Sequence, residues 1–175
     1  MLYAGMGGYA ERVLAQANLM VPLDGVTDRL GPATVVAGLG HLTTAYVALT
    51  EVAPLRGDMA VLVHGAAGGL GSAFGQVARA LGAGQVVGTV GSPGKAEYAR
   101  SLGFDPVLTT GDNLEDEARR VAGERGGFDL VVDPVGGALR GRSVGLMRPM
   151  GRLLAVGDAS GAGDVPVSSQ SLWLG

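Results

Sequence analysis

Cysteine is absent from this 175-residue sequence. That excludes disulfides, cysteine-ligated zinc and a cysteine nucleophile within the chain. No run approaches the ~18 uninterrupted apolar residues of a membrane helix. Met1–Ala10 (MLYAGMGGYA) lacks the charged and apolar regions of a signal peptide. A cytoplasmic location with no membrane partner is therefore expected. Excess positive charge is also lacking: 13 Lys and Arg against 16 Asp and Glu leave a net charge of −3, and no basic field exists to hold nucleic acid. Proline is limited to 8 residues and there is no G-X-Y period, so the chain is not collagen; a hydrophobic content of 47% excludes a disordered chain. What is in excess is glycine, 32 of 175 residues, or about 18% against roughly 7% in average proteins. The length suits one domain of ordinary size.

Along the chain two regimes follow one another. Residues 1–31 carry short mixed runs with weak alternation at Tyr9, Val13 and Leu14 and again from Leu19 to Val21. They read as one or two strands ending in a turn at Pro22–Gly25. Residues 32–55 read as a helix, with Leu42, Tyr46, Val47 and Leu49 on a helical period. From Asp58 a rhythm sets in. Met59–His64 (MAVLVH) is an apolar run of the kind a doubly buried strand shows. Apolar residues at 70, 73, 74, 77, 78 and 81 then trace a helical stripe. Gln85–Val90, Pro106–Leu108, Phe128–Asp133 and Gly151–Gly157 are the further strands. Helices are expected over 93–102, around Leu114–Ala122, and over Ala138–Met147. This alternation predicts an α/β fold, a Rossmann-type doubly wound parallel sheet. Leu172-Trp173-Leu174 reads as the start of one more strand.

The first strand–helix turn reads His64-Gly65-Ala66-Ala67-Gly68-Gly69-Leu70-Gly71. With Ala66 in first place it fits the dinucleotide pattern G-x-G-x-x-G. Small residues there permit a tight turn, close approach of backbone N–H groups to a pyrophosphate, and close helix–strand packing. The following helix presents its positive end to that anion. Two other readings fail. The short-chain dehydrogenase pair Tyr-x-x-x-Lys is missing, because Gly7, Val13, Thr50 and Leu102 stand four residues after the four tyrosines. A P-loop needs Gly-Lys-Ser/Thr, and this loop ends in Gly71-Ser72. The second strand ends Thr89-Val90-Gly91-Ser92-Pro93-Gly94-Lys95, with no carboxylate before Glu97. A neutral end with a nearby cation favours NADPH (NADP) over NAD.

These residues resemble the zinc-independent quinone oxidoreductase branch of the medium-chain dehydrogenase/reductase superfamily. The resemblance runs through Gly8-Tyr9-Ala10-Glu11, Thr44-Ala45-Tyr46-x-Ala48-Leu49, the His64–Gly71 loop followed by Gln76, Ser92-x-x-Lys95, Asp133-Pro134-Val135-Gly136-Gly137, and Gly151-Arg152-Leu153 through Ser160-Gly161. It implies that Thr44 meets the nicotinamide side of the cofactor, unless it is only a helix N-cap. It puts Ala67, Gly68, Gly69, Leu70 and Gly71 at the pyrophosphate, and Ser92 and Lys95 at the adenosine 2′-phosphate. Asp133, Val135, Gly136, Val156 and Gly157 would line the nicotinamide pocket, with strand-end turn formation as the other reading of Asp133. No catalytic side chain is assigned and no metal is expected, since Gly40 stands where zinc-using relatives carry cysteine. His64 and His41 read as ordinary, His64 as a residue satisfying backbone groups. Two further departures are Asp158, in place of an apolar residue, and Thr110, in place of a tyrosine.

The resemblance implies NADPH-dependent hydride transfer to a small-molecule quinone or α,β-unsaturated carbonyl; a homodimer is compatible with it. It divides the chain into residues 1–31, a remnant of a GroES-like β-barrel substrate domain, and residues 32–175, a dinucleotide-binding domain expected to stop short at its C-terminal end. A non-catalytic nucleotide-binding fragment and an enoyl reductase segment of a larger synthase are the alternative readings.

Overall fold

Ala60–Val63 offers no polar side chain to solvent, and all four residues are buried. In the computed structural model this strand, β3, is the middle of a five-stranded parallel sheet. The structure describes residues 2–3, 7–26, 28–163 and 165–166; the expected strand at Leu172–Leu174 lies outside them. The chain divides into two units, Met1–Gly40 and His41–Gly175.

In the first unit, β1 (Leu2–Tyr3) pairs antiparallel with β2 (Met20–Val21). The strand expected around Tyr9–Leu14 does not form. Tyr9 and Leu14 are fully exposed, and a half-buried strand needs a surface to bury its alternate side chains against. A turn follows β2, closed by the Val26 N–H donating to the Leu23 carbonyl at 3.0 Å. The two two-residue strands do not amount to a barrel remnant among the described residues. Helix α1 (Pro32–Val47) continues as a π-turn over Ala48–Val52. Together these 21 residues, with a mean hydropathy of 1.3 in their most apolar window, are long and apolar enough by composition to cross a membrane. Ala45, Ala48 and Leu49 are buried in the core of the second unit, while only 22% of that window is buried.

In that unit the strand order is β5-β4-β3-β6-β7, with β4 at Gln85–Val90, β5 at Val107–Thr109, β6 at Phe128–Asp133 and β7 at Met147–Ala155. Every pairing is parallel: Val61 sits opposite Val86 on one side and Leu130 on the other. From β3 the chain works outward to β5, then returns to β6 on the other side of β3. The crevice between β3 and β6 is thus the topological switch point where such sheets bind ligands. Period-two alternation sends Val61 and Val63 into one core layer with Phe74 and Phe104, and Ala60 and Leu62 into the other with Leu114 and Phe128.

The helices are α2 (Gly69–Ala80), α3 (Ala96–Ser101), α4 (Leu114–Ala122) and α5 (Gly137–Ser143). The helix expected over 93–102 opens as a 3₁₀ turn, Pro93–Lys95. That expected over 138–147 ends at Ser143, followed by a 3₁₀ turn at Val144–Leu146. Met147 already belongs to β7, facing Phe128, and the register then shifts before resuming with Arg152 opposite Leu130.

Candidate functional site

The chain must leave β3, which is buried on both faces, and begin α2 within six residues. Gly65 turns at φ +62°. A Cβ on Gly71 would lie 2.2 Å from the Gly65 carbonyl oxygen, so the first turn of α2 can press against the strand end only because residue 71 has no side chain. The first hydrogen bond of α2 runs from Ser72 N to the Gly68 carbonyl at 2.8 Å. The amides of Gly69, Leu70 and Gly71 precede it and have no acceptor within the helix. They border a cleft of about 590 Å³ at the C-terminal ends of β3, β4, β6 and β7. Ala67 and Gly68 share this wall, Val90, Gly91 and Lys95 form the β4 side, and Pro134, Val135, Gly157, Asp158 and Ala159 the opposite side. Unpaired amides at the positive end of a helix, in a cradle that a Cβ would fill, fit a dinucleotide diphosphate.

The β6 and β7 loops are held as one wall. Asp133 is fully buried, and its Oδ1 accepts the Val135 and Gly136 amides at 2.8 and 2.9 Å. Its Oδ2 accepts Arg140 Nε–H at 2.7 Å, and Arg140 Nη2 donates to the Gly157 carbonyl. Ser160 N bonds the Val135 carbonyl at 2.8 Å, and Ala159 N the Pro134 carbonyl at 3.1 Å. Gly136, at φ +76°, has no room for a Cβ, which would fall 2.2 Å from Asp158 Oδ1.

His64 is fully buried at the end of β3. The Ser143 hydroxyl donates to the Leu139 carbonyl at 2.8 Å, so it can only accept from the imidazole, at 2.9 Å from Nε2. Nδ1 is then unprotonated and accepts the Thr89 hydroxyl, also at 2.9 Å. Burial lowers the His64 pKa to about 4; the negative charge of Asp133 opposes that shift and the positive charge of Arg142 adds to it. The ring is neutral at pH 7 and ties β3, β4 and α5 together. It satisfies two side-chain hydroxyls rather than backbone groups.

Of the residues expected at the cofactor, the cleft brings together Ala67, Gly68, Gly69, Leu70, Gly71, Lys95, Val135 and Gly157. Ser92 immediately precedes the Pro93–Lys95 turn and is not among the cleft-lining residues. Asp133 and Gly136 are buried behind the wall, the aspartate as a turn former. Val156 is half-buried, its amide donating to the Asp133 carbonyl at 2.9 Å. Thr44 is not an N-cap, because it lies well inside α1, and it is not among the cleft-lining residues. Pro134, Gly91 and Ala159 were missed although each neighbours a strand end that the sequence marked. Arg140 carried no local signal, since its partners lie 7 and 17 residues away.

Residues 69–175 match the family model described as zinc-binding dehydrogenase. The chain belongs to that family. It is 38% identical over 172 residues to the quinone oxidoreductase of Pseudomonas aeruginosa, covering 97% of this chain and 50% of that protein. The acrylyl-CoA reductase of Ruegeria pomeroyi is 35% identical over 161 residues, covering 91% and 48%. The crystal structure of the quinone oxidoreductase from Thermus thermophilus, also solved with NADPH, superposes with a TM-score of 0.80 at 33% identity, covering 96% and 51%. This family member thus spans about half the length of these relatives. The resemblance to quinone oxidoreductases read from the sequence agrees with the first and the third. The sequence has no cysteine, and among the described residues no three His, Asp or Glu side chains gather as a metal site.

Proposed function

We infer that the chain is the cofactor-binding part of an NADPH-dependent reductase whose acceptor is a quinone or an α,β-unsaturated carbonyl. The carrying observation is the cleft at the switch point, with the free amides of α2 on one side and Lys95 on the rim where the adenosine 2′-phosphate would sit. Relatives named as a quinone oxidoreductase and an acrylyl-CoA reductase support the acceptor class. NADPH, when bound, supplies a hydride from its nicotinamide C4. The Ala67–Gly71 segment holds the diphosphate, Ser92 and Lys95 the 2′-phosphate, and Val135, Val156 and Gly157 wall the nicotinamide end against water, with Thr44 and Gly136 nearby. Positioning and exclusion of water supply the rate. Neither Asp133 nor His64 is a proton donor in this reading, because both are buried with every polar atom already bonded.

In the same reading residues 32–175 are the dinucleotide-binding domain and residues 1–31 belong to a substrate domain. The location is cytoplasmic and the assembly a homodimer. The test mixes the purified chain with NADPH and 1,4-benzoquinone or methyl vinyl ketone and follows loss of the reduced-nicotinamide absorbance. Turnover is the expected result. Binding without turnover would favour a non-catalytic nucleotide-binding role, the reading that half-length coverage of the relatives supports. Absence of NADPH binding would overturn both.

A further inference from the structure

We propose that Asp158 biases the cleft toward the oxidised cofactor: its carboxylate attracts the positively charged nicotinamide of NADP⁺ and has no such charge to attract in NADPH. The inference deepens the cofactor reading above and rests on it. Among the described residues, Lys95 and Asp158 are the charged side chains that line the cleft, and they stand on opposite walls, one after β4 and the other after β7. The turn from β3 into α2 lies between these walls, because β3 lies between β4 and β6 in the sheet. A dinucleotide with its diphosphate on that turn and its 2′-phosphate at Lys95 must extend its nicotinamide half toward the β6 and β7 side. Asp158 is the charge that waits there.

The side chain is tied to that wall. Asp158 Oδ1 accepts the Ser160 hydroxyl at 3.1 Å and Oδ2 the Gly163 amide at 3.3 Å, while the Gly161 amide donates to the Asp158 carbonyl at 2.9 Å. These donors are neutral, so they hold the carboxylate without cancelling its charge. Arg140 stands close by, since a Cβ on Gly136 would fall 2.2 Å from Asp158 Oδ1 and 3.2 Å from Arg140 Nη2. Its guanidinium is already matched by the buried Asp133 carboxylate at 2.7 Å, so the three groups together carry one negative charge. Hydride loss from C4 turns a neutral dihydropyridine ring into a pyridinium cation, and Asp158 can attract only the latter. Its repulsion of the diphosphate is common to both redox forms and cancels in their ratio. By linkage, tighter binding of the oxidised form makes the bound reduced form a stronger hydride donor.

The test measures dissociation constants of the full chain and its variants for NADP⁺, NADPH and 2′-AMP, which carries the adenosine 2′-phosphate but no nicotinamide. Asp158→Asn keeps the size of the side chain and removes its charge. It is expected to weaken NADP⁺ about fivefold relative to NADPH and to leave 2′-AMP unchanged. Ser160→Ala removes one hydrogen bond of the turn but keeps the carboxylate, so its ratio of NADP⁺ to NADPH affinity should match the wild type. Raising the salt to about 1 M should draw the wild-type ratio toward that of Asp158→Asn, a measurement that needs no variant to fold. Equal weakening of both redox forms in Asp158→Asn would overturn the proposal and mark Asp158 as an anchor of the turn alone. An unchanged ratio in Asp158→Asn, the same shift in Ser160→Ala, or a wild-type ratio indifferent to salt would overturn it as well, and each leaves the cofactor reading intact. Failure of the wild-type chain to bind either NADP⁺ or NADPH would instead sink the cofactor reading itself.

Discussion

Arg140 Nε donates to Asp133 Oδ2 across 2.7 Å, and the same guanidinium reaches the Gly157 carbonyl. One side chain thus joins the ends of β6 and β7, the two strands whose loops form a wall of the cleft. Asp133 is fully buried and the Arg140 side chain 21% exposed. Removing one partner of such a pair leaves a buried charge uncompensated. Arg140→Met should therefore cost about 3 kcal/mol in urea unfolding and weaken NADPH binding, because the Gly157 loop loses its tie. Unchanged stability would mean that the two amides at Asp133 Oδ1 suffice.

Lys95 is the cation on the β4 side of the cleft. Lys95→Glu should lower NADPH affinity by tenfold or more while changing NADH affinity much less, since only the former carries the 2′-phosphate. Fluorescence titration with both cofactors checks this; equal losses would remove Lys95 from the 2′-phosphate site.

His64 must stay neutral in the folded chain, where its pKa is about 4 rather than 6.5. The unfolded state binds the extra proton first, so stability rises with pH between these values and is flat above about 6.5. The imidazole alone should account for about 3 kcal/mol lost between pH 6.5 and 4, at 1.36 kcal/mol per tenfold change in proton affinity. Urea unfolding across that range should show a shallower loss in His64→Gln than in the wild type, with other groups cancelling in the difference.

Phe104 is buried in a slot that two glycines leave open. A Cβ on Gly75 in α2 would lie 2.1 Å from the ring Cζ, and one on Gly88 in β4 2.9 Å from its Cδ1 and Cγ. Gly75→Ala should destabilise by about 2–3 kcal/mol through overpacking. Adding Phe104→Leu should recover part of that loss, a non-additivity that a double-mutant cycle measures directly.

Met150 adopts φ +64° and is 92% exposed. A non-glycine residue in the left-handed region costs roughly 1–2 kcal/mol, and this side chain gains little burial in return. Met150→Gly should raise stability by about 1 kcal/mol once the entropy of glycine is offset. A lower thermal midpoint would count against the strain.

The alternation of apolar runs and helical stripes is written locally, because burial on one face or both repeats every few residues. That is why Gln85–Val90, Leu114–Ala122 and Phe128–Asp133 match their expected bounds. The glycines of the first turn were legible for the same reason: a strand that must reverse into a helix within six residues needs them wherever it sits. The excess of glycine has a second cause that only the tertiary structure reveals, since Gly69 yields to His41 and Gly75 and Gly88 to Phe104. The use of Asp133 as an anchor for Arg140 and two amides, rather than as a cleft lining, was likewise settled by packing. Periodicity records which face is buried. Which distant side chain fills a gap or meets a carboxylate depends on how strands and helices stack, and no local pattern carries that information.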